Sequence, residues 1–216
     1  MFFFRSFIFP NENPRNEVLE GFTLYSDRMN SPYMTRLIDN DYNIIGEWET
    51  TYYVASTPYI LADASVLIPS RHYSISWGGG AMSGRISRFN FWGELLWDYK
   101  VDIENISPHH DIEPLPNGNI LLLSWERKTY DDAIQMGKVN IELGYEIWPT
   151  VIHELQPVGF DSVNIVWEWH LWDHLVQDID PSIPNYGSVF KNPQLFDINL
   201  GDIPFSSVGN TTLGDW

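Results

Sequence analysis

A short unit recurs three times along the chain: a strand, a polar turn, and a second strand that ends in tryptophan beside an acidic residue. It reads RLIDNDYNIIGEWE from Arg36, RISRFNFWGELLWDY from Arg85 and VIHELQPVGFDSVNIVWEWH from Val151. Repeats of this length constrain the whole architecture of a chain. The pattern predicts an all-β fold built from hairpins.

A second unit precedes the first and doubles the number of strands in each repeat. YILADASVLIPS from Tyr59 aligns with EPLPNGNILLLS from Glu113, at an offset of 54 residues. Four strands in about 50 residues are typical of one blade of a β-propeller. We therefore predict about three antiparallel four-stranded blades over residues 33–216, after a lead-in over residues 1–32. A β-sandwich also has evenly spaced short strands and is the alternative.

Helical patterns are scarce. WEWHLWDHLVQDID from Trp167 and YDDAIQMGKV from Tyr130 each predict one short helix, inserted between blade strands. If the first is helical, His170, His174 and Asp178 share one face at a spacing that can bind a divalent metal. No further ligand accompanies them, so we predict no metal and no cofactor.

Composition excludes several function classes. The formal net charge is −17, which repels phosphate backbones and argues against a nucleic-acid partner. The absence of cysteine excludes disulfides and thiolate metal sites but leaves the compartment open. The N-terminal MFFFRSFIFP is broken by Arg5 and is not a complete signal peptide, and we predict no membrane-spanning segment.

His109, His110 and Asp111 open the first strand of a repeat. In a propeller the innermost strand of each blade lines the central channel, so this strand start lies near a channel mouth. Alternation along a strand predicts that His109 and His110 face opposite sides. Imidazoles act as general bases, as nucleophiles or as donors to an anion. The competing interpretation is a structural histidine at a strand end.

Five segments of this sequence resemble the arylsulfotransferase family, the bacterial aryl-sulfate sulfotransferases that do not use PAPS. They are HHDIEPLPNGNILLLSWERK, YEIWPTVIHEL, VWEWHLWDHLVQDIDP, PNYGSVFKNPQLFDIN and the final DW. The resemblance runs from Tyr33 to Trp216 and covers the N-terminal half of the family pattern. It implies a six-bladed β-propeller without a cofactor. It also implies sulfuryl transfer from a phenolic sulfate to a phenol acceptor through a sulfated histidine.

The resemblance also implies residue roles. It assigns a catalytic, channel-lining histidine to His110, with His109 as the second choice. The expected substrate-binding residues are Trp125, His170, Trp172 and His174. The nucleophilic histidine of the family pattern falls beyond Trp216, so the expectation is a fragment that lacks it.

The alternative function is a non-catalytic β-propeller that binds a ligand or a protein. A weaker third possibility is a glycan hydrolase that uses Asp111 and Glu113. Self-association, or a second chain, would complete the ring of blades. The sequence leaves the location unknown, and an exported or periplasmic location is compatible with the resemblance.

Overall fold

The computed structural model describes residues 19–72 and 77–200, together with the backbone of a strand at 212–215. Strand accounts for 48% of the chain and helix for 7%, and the larger sheets are antiparallel. The all-β prediction is therefore confirmed. Within the described residues, we find no helix with the length and apolar character that crossing a bilayer requires.

The chain divides into two compact units. The first contains the described residues up to 72, together with 81–101 and 157–163. The second contains residues 77–80, 102–156 and 164–200, together with the strand at 212–215.

Two antiparallel sheets form the first unit, and their strands follow one another in chain order. One sheet has three strands: β1 (Phe22–Asp27), β2 (Tyr33–Asp39) and β3 (Ile44–Thr50). The other has four: β4 (Tyr59–Ile60), β5 (Val66–Arg71), β6 (Gly84–Phe89) and β7 (Leu95–Lys100). β1 lies inside the predicted lead-in and pairs with β2, so the first sheet begins before residue 33.

A second four-stranded antiparallel sheet organises the other unit. Its strands, in spatial order, are β8 (Ile106–Pro114), β9 (Ile120–Glu126), β11 (Thr150–Val158) and β12 (Ser162–His170). The connection from β9 to β11 carries helix α1 (Tyr130–Gln135) and β10 (Glu146–Trp148), and β10 pairs in parallel with β15 (Thr212–Asp215). After β12 come two 3-10 helices (Leu171–His174 and Val189–Lys191) and the parallel pair β13 (Leu175–Val176) and β14 (Phe196–Asp197).

Strand register confirms the 54-residue repeat. Tyr59 pairs with Leu67 in the β4–β5 hairpin, and Glu113 pairs with Leu121 at the equivalent place in β8–β9. The backbone hydrogen bonds that close the two turns are also equivalent, since the amides of Leu61 and Leu115 both donate over 2.8 Å to the carbonyl four residues later. The predicted tryptophan units are likewise the hairpins β2–β3, β6–β7 and β11–β12.

Four of the hairpin turns share a side-chain device. In each, an aspartate or asparagine oxygen accepts a hydrogen bond from the backbone N–H two residues later, and this bond stabilises the turn. The four acceptors are Asp39, Asp63, Asn90 and Asn117. Each turn then contains one residue with positive φ: Tyr42, Ala64, Gly93 and Gly118 respectively. The repeat therefore extends to the chemistry of the turns.

Two tryptophans of the repeat unit are anchored in the same way within the first unit. Trp48 is fully buried and donates its indole N–H to the carbonyl of Asn90, 2.8 Å away in the β6–β7 turn. Trp97 is also buried and donates to the carbonyl of Ser162 over 3.2 Å, at the start of β12. A buried indole needs such an acceptor. Each tryptophan thus ties its own hairpin to another segment of the first unit.

One of the two helix predictions is confirmed and the other is wrong. Helix α1 begins at a capping box in which the side chains of Thr129 and Asp132 bond to each other's backbone amides. The segment from Trp167 does not form the predicted helix: residues up to His170 belong to β12, and the rest of the segment contains only one 3-10 turn, Leu171–His174. Pairing with β11 satisfies this backbone in the sheet, so His170, His174 and Asp178 do not share a helical face.

Candidate functional site

A β-bulge in β8 positions the adjacent histidines. Pro108 pairs with Ser124 and Ile112 pairs with Leu122, so residues 109–111 lie opposite a single residue of β9. His110 has a φ of 57°, in the left-handed region. The bulge re-aims the side chains, as bulges near functional sites do. The prediction that the two imidazoles face opposite sides is therefore wrong: their Nδ1 atoms lie 2.9 Å apart.

The two imidazoles have different environments. His109 is only 6% exposed, and its ring lies over Trp125 with centroids 4.1 Å apart. His110 is exposed and meets the His109 ring edge-on at 5.0 Å. Burial, together with electrostatic repulsion from His110, lowers the pKa of His109 to about 4. His109 is therefore a neutral imidazole at pH 7.

An aromatic wall continues from His109. We use this name for the indole rings of Trp125, Trp148 and Trp77, whose successive centroids lie 5.9 Å and 5.2 Å apart. Gly79 lies against the wall, and a Cβ there would come within 3.0 Å of the Trp125 ring. Trp125 is 3% and Trp148 is 8% exposed, so Trp77, which is partly exposed, is the ring of the wall that a flat aromatic ligand could contact.

Arg127 is the cation beside the aromatic wall. Its guanidinium lies 5.9 Å from the centroid of the Trp77 ring. Its Nε and one terminal nitrogen also donate to the two carboxylate oxygens of Glu146. This two-point pairing holds the guanidinium in place and balances its charge.

His170 belongs to a second group of side chains on the same sheet. Its Nδ1 lies 3.0 Å from a carboxylate oxygen of Glu126, and its Nε2 lies 3.6 Å from Glu168. Burial lowers the pKa of His170, but the hydrogen bond to Glu126 and electrostatic attraction from the carboxylates of Glu126 and Glu168 outweigh burial and raise it. His153 lies beside it, with Nε2 3.9 Å from the same Glu168 oxygen.

The predicted site residues therefore separate into groups. Trp125 lies beside His109 and His110. Glu126 follows Trp125 on β9, and neighbouring residues of a strand face opposite sides, so His170 lies on the other face of the sheet. His174 instead stacks on Trp169, with centroids 5.0 Å apart.

Trp172 also lies away from the histidine pair. It packs against the small core formed by Leu171, Leu175 and Ile198. The Nζ of Lys128 lies 5.2 Å from the centre of its ring. Core packing, rather than contact with the histidine pair, is the structural role that these contacts indicate.

Sequence reasoning missed two parts of this arrangement. Trp148 ends the short strand β10 and Trp77 lies between β5 and β6, and nothing local marks either as a neighbour of Trp125. His153 and Glu168 could have been found from alternation, because Glu168 and His170 are two residues apart on β12 and share a face. The assignment of a helix to that segment hid this pattern.

Comparison of the chain with protein-family models, with curated proteins and with solved structures finds no match. The functional argument therefore depends on the geometry of the two groups of side chains and on the sequence resemblance of the segments between His109 and Asn199.

Proposed function

We propose that this chain forms the ester-binding part of an aryl-sulfate sulfotransferase, which moves a sulfuryl group from a phenolic sulfate to a phenol through a histidine intermediate. The observation that carries the proposal is the imidazole pair on the β8 bulge, set against the aromatic wall. Together, the imidazole pair and the aromatic wall supply polar and aromatic groups that the binding of an aryl sulfate would need. The sequence resemblance adds independent support, because His109 and His110 open its most specific segment.

The chemistry of sulfuryl transfer gives a role to both the imidazole pair and the aromatic wall. When the sulfuryl group is transferred, the ester S–O bond breaks and negative charge develops on the phenoxide and on the sulfate oxygens. A fixed N–H donor next to those oxygens stabilises the charge, as in an oxyanion site. Trp77, the partly exposed ring of the aromatic wall, would stack on the aryl ring beside the imidazoles.

His109 acts as a positioning residue in this proposal. A contact of 2.9 Å between two Nδ1 atoms requires one to donate and the other to accept, so it couples the two tautomers. The exposed His110 then presents Nε2 to the ester, as an N–H or as a lone pair. In the reaction that the resemblance implies, another histidine is the nucleophile, so His110 donates its N–H to a sulfate oxygen.

We also propose that the repeated sheets are blades of a β-propeller. Support comes from the two four-stranded antiparallel meanders and their equivalent registers. The indole N–H bonds from Trp48 and Trp97 to other segments of the first unit add to it. About three blades would be present in these 216 residues.

A non-catalytic binding module for aromatic anions is the second candidate. The observation that favours it is the pairing of Arg127 with Glu146, because a guanidinium already neutralised by a carboxylate contributes less to a leaving phenoxide. In this case the aromatic wall and His110 would hold an aryl sulfate without transferring its sulfuryl group.

Binding and transfer assays with 4-nitrophenyl sulfate test both candidates. We expect calorimetry to detect binding that His110→Ala weakens at least ~10-fold, in line with the loss of a charge-assisted hydrogen bond. His174→Ala is the matched control, because that imidazole stacks on Trp169 away from the pair. Failure to bind, or equal binding by both variants, would contradict the proposal.

Nitrophenol release with a phenol acceptor separates the candidates. The resemblance places the nucleophile beyond Trp216, so we expect these 216 residues alone to bind without transfer. A chain extended through the remaining blades should transfer, and His110→Ala should then lower turnover by roughly 10²-fold or more. Binding without transfer by the extended chain would establish the non-catalytic candidate. Transfer by the 216 residues alone would place the nucleophile among His110, His170 and His174.

A further inference from the structure

Three side chains from β11 and β12 converge on one point without bonding to one another. The Nε2 atoms of His153 and His170 lie 3.9 Å and 3.6 Å from the same Glu168 oxygen. One ligand atom from each of the three residues lies within 4.8 Å of the other two. These separations are too long for hydrogen bonds. The three groups therefore lie close together without a hydrogen bond between them.

The separations match those between ligands of a metal ion. A zinc ion holds nitrogen and oxygen ligands at about 2.0–2.1 Å, which puts two tetrahedral ligands roughly 3.4 Å apart. Neighbouring ligands of an octahedral ion at the same distance would be only roughly 3 Å apart. The observed 3.6 Å and 3.9 Å are closer to the tetrahedral value and need only small side-chain movements to reach it.

The surroundings have the features of a supported metal site. Glu126 accepts at 3.0 Å from Nδ1 of His170, which leaves the Nε2 lone pair directed away from that bond. Lys128 donates at 2.6 Å to the other oxygen of Glu126 and fixes the carboxylate. A carboxylate behind a ligating histidine orients the ring and strengthens the metal bond.

Burial differs among the three candidate ligands. The His153 side chain is 3% exposed, and its Nδ1 has no hydrogen-bond partner among the described residues. A buried imidazole with an unpaired nitrogen is costly, and a metal bond at its other nitrogen would offset that cost. The Glu168 side chain is 57% exposed, so the group borders solvent and water can reach a fourth position.

We propose that His153, Glu168 and His170 bind a zinc ion through the two Nε2 atoms and the carboxylate, with Glu126 orienting His170. Two nitrogen ligands exclude a preference for Ca²⁺ or Mg²⁺, which take oxygen ligands. Three protein ligands and one open position are the arrangement of zinc sites that hold a reactive water. This site lies on the other face of the sheet from the histidine pair. It does not depend on the proposed sulfuryl transfer.

Zinc titration of the whole chain tests the proposal. We expect calorimetry with ZnCl₂ to show one ion per chain, and His170→Gln and Glu168→Gln each to weaken binding about 100-fold. His174→Gln is the matched control, since it removes an imidazole that is outside the group and stacks on Trp169, and it should change affinity less than twofold. Cobalt(II) should give the intense visible absorption of four-coordination rather than the weak bands of six-coordination.

Glu126→Gln tests the orienting role separately. Loss of a carboxylate behind a metal-bound histidine costs about 10- to 100-fold in affinity, and the stoichiometry should stay at one. Circular dichroism would verify that each variant keeps its strand content. Millimolar or weaker zinc binding by the unaltered chain would overturn the proposal. Equal loss of affinity in His174→Gln would do the same, since it would show non-specific binding by surface histidines.

Discussion

At the scale of single residues, the backbone of His110 is the most informative feature. A non-glycine residue in the left-handed region costs about 1–2 kcal/mol and persists only when its surroundings hold it. Here the pairs Pro108–Ser124 and Ile112–Leu122 fix β8 on both sides of the bulge. Strained residues cluster at functional sites, so this cost is consistent with the role proposed for the imidazole pair.

The neutral His109 predicts how stability changes with pH. Its pKa is about 4 in the folded chain and about 6.5 when unfolded, so the unfolded chain takes up the proton first as pH falls. The stability associated with this group is fully present above pH 6.5 and is lost between pH 6.5 and 4. From pH 7 to 4.5 we expect a loss of roughly 2–3 kcal/mol of unfolding free energy from this residue.

Urea unfolding of the unaltered chain and of His109→Gln at the two pH values measures this contribution. The variant cannot take up the proton, so its stability should fall by less over the same interval. The other titrating groups contribute to both proteins and largely cancel in the comparison. Parallel losses in the two proteins would show that His109 titrates normally when folded.

At the scale of the elements, the hairpin turns show how the repeat is encoded. Ala64 in the β4–β5 turn has a φ of 61°, and Gly118 in the equivalent β8–β9 turn has a φ of 86°. Glycine adopts this conformation without steric cost, whereas alanine does not. The two turns are thus the same element with different local strain.

This pair predicts opposite effects of opposite substitutions. We expect Ala64→Gly to raise the free energy of unfolding by roughly 0.5–1 kcal/mol, and Gly118→Ala to lower it by about the same amount. An added Cβ at Gly118 would meet nothing within 4 Å, so the change isolates backbone strain. Thermal or urea unfolding measures both.

Gly80→Ala provides the control for the turn experiment. An added Cβ at Gly80 also meets open space, and this residue is outside the left-handed region. Here alanine should be neutral or slightly stabilising, because it restricts the unfolded chain. If Gly118→Ala changes the free energy of unfolding by no more than Gly80→Ala does, the turn does not require a positive φ.

At the scale of the whole molecule, the edge strand β12 differs from its equivalents. Ile165, Val166 and Trp167 are 43%, 48% and 48% exposed. The equivalent Trp48 and Trp97 are 0% and 4% exposed. An apolar strand at the edge of a sheet pairs readily with another chain. We therefore expect these 216 residues to self-associate through β12.

Sedimentation of the unaltered chain and of Trp167→Ser tests this expectation. The substitution should shift the population towards monomer, because it removes the largest apolar side chain of the exposed edge. Trp92→Ser is the control, since Trp92 is 83% exposed in the β6–β7 turn and away from that edge. A well-folded monomer at high concentration, or the same shift in both variants, would contradict the expectation.

The sequence by itself determined the parts of the fold that depend on local chemistry. Strand alternation, the repeat offset and the aspartate and asparagine turns involve residues close in the chain, so they predicted the hairpins of both four-stranded sheets. Helix α1 was also predictable, because its capping box spans only four residues.

Only the tertiary structure decided what depends on contacts between distant segments. The bulge at His109 and His110 follows from pairing with β9, and it reversed a prediction that assumed an unbroken strand. Pairing with β11 likewise made β12 a strand where local pattern favoured a helix. The group of His153, Glu168 and His170 exists only because two strands lie side by side. Such pairings are set by the free energy of the whole sheet, which a local pattern does not contain.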